Sequence, residues 1–278
     1  MTASDWLAAV VQGVVEGLTE FLPVSSTAHV RLTQHALGFA DPGQLFTVVI
    51  QLGAILAVVV ACRERLAAMV MGTLRGDPVQ RRFVLALAIA CVPAAGIGLL
   101  ANRWLETHVF GAWELAIIAF TLGLGGLLIL IIERWHPKPR HVDAGALPLR
   151  TAIGIGLIQV LALIPGVSRS GACIMGAMCL GVERRAATEF SFLLAIPVMA
   201  GASGLKLVKH RDQLTADYLP VLLLGSAVSF ITALIAVRWL LRWVSTRTFA
   251  PFAWYRIALG CLIAGLLLAG VIPVGQAR

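Results

Sequence analysis

Charge is what this sequence lacks. Only 13% of its 278 residues are Asp, Glu, Lys or Arg, against 59% hydrophobic residues, and the mean hydropathy is +0.90. Soluble domains carry about 25% charged residues, so a water-soluble globule of this size could not be covered with so few. Cysteine is sparse too. Cys62, Cys91, Cys173, Cys179 and Cys261 show no CxxC spacing and sit mostly inside apolar runs, which reads as small buried hydrophobes rather than metal or redox chemistry. No basic stretch precedes the first apolar run, which carries Asp5, Glu16 and Glu20, so a cleavable signal peptide is not expected. The net charge of +8 would suggest nucleic acid in a soluble protein. Here Lys and Arg cluster between apolar runs, the pattern of a polytopic protein facing anionic lipid, and no nucleic-acid partner is expected.

Six apolar segments are long enough to cross a hydrocarbon core that takes roughly 20 residues of helix: about 44–62, 82–101, 113–132, 187–207, 218–240 and 252–273. Two further stretches, 5–37 and 150–180, are broken mid-way, by Pro23-Val24-Ser25-Ser26-Thr27 and by Pro165-Gly166-Val167-Ser168-Arg169-Ser170. Their halves are too short to span alone, so each reads as a re-entrant helix–break–helix hairpin. Irregular backbone is tolerated at membrane depth only inside protein or beside a wet cavity, so function is expected at these breaks.

The order hairpin, three spans, hairpin, three spans predicts an all-α membrane domain over 1–278, made of two repeats at about 1–135 and 148–275. Three crossings put the second repeat in the opposite sense to the first, an inverted-topology repeat. Arg63, Arg65, Arg75, Arg81, Arg82, Arg134, Arg184 and Arg185 lie on one side, while fewer basic residues, among them Arg31, Lys206 and Lys209, lie on the other. The positive-inside rule makes the first side cytoplasmic and places both termini outside. The Arg63–Arg82 run reads as a cytoplasmic loop meeting lipid head groups.

Gln12, Glu16 and Glu20 are four apart and share one helix face. Two carboxylates in a membrane segment mark a functional site, able to bind a divalent cation or supply a general base; a helix end at the interface is the competing reading. Ser26 and His29, three apart, form a candidate nucleophile–base pair, and Ser25 and Thr27 at a helix start leave amides free for an anion. Ordinary capping beside an interfacial histidine explains the same residues. Arg169, between Ser168 and Ser170, suits a bidentate grip on phosphate; alternatively it neutralises Glu16 or Glu20. Gln51, mid-span, either faces the site or bridges helices.

These residues resemble the undecaprenyl pyrophosphate phosphatases of the bacitracin-resistance type. Residues 16–29, Glu-Gly-Leu-Thr-Glu-Phe-Leu-Pro-Val-Ser-Ser-Thr-Ala-His, are similar to the family's glutamate-rich first motif, and Pro165-Gly166-Val167-Ser168-Arg169-Ser170-Gly171 to its second. The stretches 50–55 and 189–197 are similar to family segments as well. The resemblance implies an inner-membrane phosphatase with two re-entrant hairpins, a homodimer, whose substrate is a polyprenyl diphosphate lipid. It implies conversion of undecaprenyl diphosphate to the monophosphate, recycling the lipid carrier of peptidoglycan synthesis with the aid of a divalent cation, Mg2+ or Ca2+. Glu16, Glu20, Ser25, Ser26, His29, Ser168 and Arg169 would be the functional residues, and the resemblance favours a site open to the periplasm. Ala28, Cys173 and Thr47 depart from the family's usual glycine, threonine and glutamate.

The expected mechanism has Arg169 with Ser25, Thr27, Ser168, Ser170 and the helix-start amides holding the diphosphate, a cation on Glu16 and Glu20, and Ser26 attacking the terminal phosphorus with His29 as its base. Direct attack by histidine-activated water is the variant. Two other classes compete. A secondary transporter or polyprenyl-phosphate flippase shares the inverted-repeat architecture, and a non-catalytic lipid-binding protein explains neither the acids nor Arg169.

Overall fold

In lipid the backbone must satisfy itself, and helices do so within one segment. In the computed structural model, which describes residues 3–41, 44–108, 113–135 and 138–272, every regular element longer than a single bridged residue is helical. The stretches expected as hairpins are each two helices separated by a break. The first consists of α1 (Ala3–Thr19) and α2 (Ser26–Leu37). α3 (Leu45–Ala61), α4 (Arg63–Leu74), α5 (Pro78–His108) and α6 (Glu114–Trp135) follow. The second pair is α7 (Leu149–Gln159), a 3-10 turn at Val160–Leu163, and α8 (Arg169–Cys179). α9 (Arg184–Lys209), α10 (Leu219–Trp243) and α11 (Ala250–Leu268) complete the chain.

Among the described residues, α5, α6, α9, α10 and α11 are long and apolar enough to cross a membrane, and α3 with α4 makes a sixth if that bent pair counts as one span. The protein is a multi-pass membrane protein. α4 corrects one expectation: Arg63–Leu74 is a helix, not a loop, and turns away from α3 by 72°. None of its side chains is buried, and Val70, Met71 and Leu74 are exposed beside Arg63. That amphipathic make-up suits a helix lying along an interface. The residues proposed as the two chain ends, 1–2 and 273–278, lie outside the described ones, as does the side they occupy.

Both pairs break for the same local reason. Pro23 and Pro165 have no N–H to donate and disfavour helix in the residue before them. Each second arm then starts from a serine with positive φ: Ser25 at φ 71°, ψ 93° and Ser168 at φ 71°, ψ 116°. Such backbone costs about 1–3 kcal/mol in a non-glycine residue and persists only where surroundings enforce it.

The first arm of each pair packs on the opposite half of the chain. α1 lies chiefly against α10, and α7 chiefly against α5. α3 also packs on α10 as α9 does on α5, while α3 meets α9 and α6 meets α11. Small residues allow the closest approach. A Cβ on Gly13 would stand 2.5 Å from the Gly225 carbonyl oxygen, and one on Gly17 would stand 2.0 Å from Thr232 Oγ1. Glycines four apart bring helix backbones together in membranes by this route. At the tip, Phe21 meets Phe192 of α9 edge-on, with ring centroids 5.4 Å apart.

Candidate active site at the hairpin tips

The two breaks meet. Ser170 Oγ donates to the Leu22 carbonyl at 2.8 Å, tying the start of α8 to the tip between α1 and α2. Thr121 Oγ1 of α6 donates to the Pro165 carbonyl at 2.8 Å. Gly166 follows at φ 86°, where a Cβ would run into that same Thr121 oxygen at 2.1 Å. The strongest clamp is Arg256, from α11. It is 1% exposed and donates to four carbonyls: Pro23 at 3.2 Å, Val167 at 3.1 Å, Gly166 at 3.0 Å and Thr121 at 3.1 Å. One guanidinium therefore satisfies carbonyls that both helix breaks leave without intrahelical donors.

Glu20 sits at the junction, 6% exposed, with both oxygens engaged. Ser26 Oγ donates to Oε2 at 2.5 Å, and Arg169 Nη2 lies 3.3 Å from Oε1. Arg169 is held from its other side by the Ser191 carbonyl at 3.2 Å, and its guanidinium lies over the Phe21 ring at 5.4 Å. The arginine thus pairs the acid of the first break from the start of the second. Glu16, 1% exposed, interacts with Glu20 and keeps Oε1 without a hydrogen-bond partner; both amide atoms of Gln12 are likewise unpartnered.

Ser168 caps α8, its Oγ accepting from Gly171 N at 3.1 Å and lying 3.1 Å from Ser170 Oγ. Ser25 occupies the same place before α2, but its hydroxyl makes no capping bond, and Thr27 is exposed.

The expected Ser26–His29 contact is not made. Ser26 is the first residue of α2, so its side chain leans back toward the tip and finds Glu20. His29 instead places Nδ1 2.7 Å from the Ser25 carbonyl and Nε2 2.6 Å from Tyr255 Oη. Gln51 bridges helices, accepting from Ser203 at 3.2 Å, and Cys173 donates to buried Gln159 at 3.1 Å. No motif in the sequence points to Arg256 or Tyr255. An arginine inside the apolar run 252–273 was itself the signal, since ionisable groups there mark function by default.

The fold and site define a multi-pass helical membrane protein with an acid, a hydroxyl and an arginine gathered where two broken helices meet. The chain belongs to the family described as Bacitracin resistance protein BacA, whose model matches residues 9–262. It is 46% identical over 264 residues to an undecaprenyl-diphosphatase of Caulobacter sp. (strain K31), covering 95% of this chain and 98% of the relative. A protein of the same name from Phenylobacterium zucineum is 47% identical over 267 residues, covering 96% and 99%. An undecaprenyl-diphosphatase of Cereibacter sphaeroides is 47% identical over 270 residues, covering 97% and 100%.

Proposed function

We propose that this protein hydrolyses undecaprenyl diphosphate to undecaprenyl phosphate and inorganic phosphate, returning the lipid carrier to peptidoglycan synthesis. The observation that carries the reading is the contact of Ser26 Oγ with Glu20 opposite Arg169. A transporter needs no hydroxyl poised on a carboxylate, whereas phosphoryl transfer needs a nucleophile, a proton acceptor and a cation for the phosphate oxygens.

In this mechanism the terminal phosphate displaces part of the Glu20–Arg169 pairing and takes donors from Arg169 and from the first-turn amides of α2 that Ser25 leaves uncapped. Ser26 and Thr27 border the same place, with Ser168 and Ser170 beside Arg169. Ser26 Oγ attacks the terminal phosphorus, its proton passes to Glu20, and the bond to the bridging oxygen breaks, releasing polyprenyl phosphate. Water then attacks the phosphoserine. His29, whose Nδ1–H is committed to the Ser25 carbonyl, offers Nε2 to the water's proton. The P–Oγ bond breaks, Glu20 returns its proton to Oγ, inorganic phosphate leaves and Ser26 is regenerated.

Glu16 and Glu20 fit a divalent cation, Mg2+ or Ca2+. Both are hard oxygen donors, and Glu16 Oε1 is buried without a partner. Among the described residues no group of three or more His, Cys, Asp or Glu gathers to form a protein-only cage. Mg2+ is commonly held by one or two carboxylates with waters and substrate phosphates, and a cation held by Glu16 and Glu20 would supply charge neutralisation on the phosphate oxygens.

We further propose the bacterial inner membrane, a periplasmic opening with both termini outside, two inverted repeats and a homodimer. The exchanged packing of α1 on α10 and α7 on α5 supports the repeats, and the arginines of α4 support its cytoplasmic side. The homodimer rests on family resemblance. The test is phosphate release from undecaprenyl diphosphate by detergent-solubilised protein, with and without chelator. Metal-dependent release lost in Ser26→Ala supports the reading. No release by folded wild type with metal present overturns it and favours flipping.

A further inference from the structure

His29 is held at both nitrogens, and the two partners differ in what they can do. The Ser25 carbonyl can only accept, so Nδ1 carries the hydrogen, and its contact at 2.7 Å leads no further than the backbone. In neutral imidazole Nε2 is then the acceptor, and the Tyr255 hydroxyl, at 2.6 Å, is its donor. The two rings lie nearly parallel, at 7°, with centroids 5.6 Å apart, so turning the imidazole forfeits the bond and the stacking together. The register of α11 is also fixed. Arg256, the next residue, is bonded to carbonyls of both hairpin tips, which holds Tyr255 against His29.

Tyr255, one of only two tyrosines in the chain, is 47% exposed, and Thr27 beside His29 is exposed as well. The tyrosine end of the chain Ser25 carbonyl–His29–Tyr255 therefore opens outward, while the Ser25 end is buried at 2% exposure. A proton gained on Nε2 has a hydrogen-bonded way out through Tyr255.

We propose that Tyr255 is the positioning and proton-relay residue of His29, carrying to the outside the proton that His29 takes up in each turnover. This rests on the phosphatase reading. The step balances through the one hydroxyl. The hydrolytic water gives its proton to Oη as its oxygen bonds phosphorus, while the hydroxyl's own proton moves along the 2.6 Å bond to Nε2. The imidazolium Nε2–H then passes that proton to Oη while the hydroxyl's own proton goes to external water. Phenol and neutral imidazole are restored, and one proton has left.

The test uses the full-length protein in detergent with undecaprenyl diphosphate, comparing wild type, Tyr255→Phe and Tyr255→Ala in increasing concentrations of imidazole buffer. Tyr255→Phe keeps the ring stacking and removes only the hydroxyl. The expected result is kcat lowered about tenfold in dilute buffer with KM unchanged, recovering as buffer rises, while wild type stays flat. Turnover by Tyr255→Phe equal to wild type in dilute buffer overturns the relay. So does a loss in that variant that buffer does not relieve, which would leave Tyr255 a packing residue. Wild type releasing no phosphate at all would instead sink the phosphatase reading, so the two failures are distinguishable.

Discussion

Arg169 Nη2 stands 3.3 Å from Glu20 Oε1, across 149 positions of sequence and between the two hairpins. The acid of the first break thereby neutralises the cation of the second before any phosphate arrives. Both side chains are nearly buried, at 12% and 6% exposed, so neither charge can be left alone without large cost.

Arg169→Ala is expected to lower kcat/KM by about 10²–10³, the range for losing one transition-state charge donor. It also strands Glu20, and breaking a buried pair costs about 3–5 kcal/mol. Adding Glu20→Gln should recover part of the lost thermal stability without restoring activity. A melting series on the two single variants and the double variant measures this; purely additive losses would mean the pair is not coupled.

Ser26→Ala should abolish turnover, and rapid acid quench of wild type with terminally labelled substrate should trap label on Ser26. Glu20→Gln should suppress that label, because it removes the proton acceptor at 2.5 Å. His29→Ala should instead let label build up, since the hydrolytic step then lacks its base. Absence of a phosphoserine under all these conditions would favour direct attack by water.

Arg256→Met should be among the most destabilising changes in the chain. It keeps the length and apolar stem but leaves four carbonyls, three of them at the hairpin tips, without this donor. Buried unsatisfied groups cost about 1–3 kcal/mol each. Thermal unfolding in detergent reads the loss, and turnover should fall with it because Glu20 and Arg169 are set by those tips.

Gly17→Ala should destabilise by about 1–3 kcal/mol through overpacking, because its Cβ would meet Thr232 Oγ1 at 2.0 Å and the Ser229 carbonyl at 2.4 Å. Gly265→Ala on α11, with nothing within 4 Å of the new atom, is the matched control and should be neutral or slightly stabilising.

Much of this was legible in the sequence for a physical reason. Lipid demands long apolar helices, so the spans near 113–132 and 218–240 reappear as Glu114–Trp135 and Leu219–Trp243. Prolines break helices locally, so Pro23 and Pro165 announced the two tips. Carboxylates and an arginine are expensive in hydrocarbon, so Glu16, Glu20 and Arg169 stood out against their surroundings. The helix at Arg63–Leu74 is hard to read from sequence because its charges resemble those of a loop, although its remaining residues are mostly good helix formers.

The class of protein, the position of both breaks and the residue types that carry chemistry each follow from the local conflict between polar groups and lipid. Who touches whom is set by the packing of distant helices. Spacing along α2 suggested Ser26 with His29, yet Ser26 lies on Glu20, and His29 lies on Tyr255, 226 positions away. Side-chain direction at the first turn, and the docking of α11 through Arg256, set those partners. Both depend on how distant helices pack, and no local pattern encodes that.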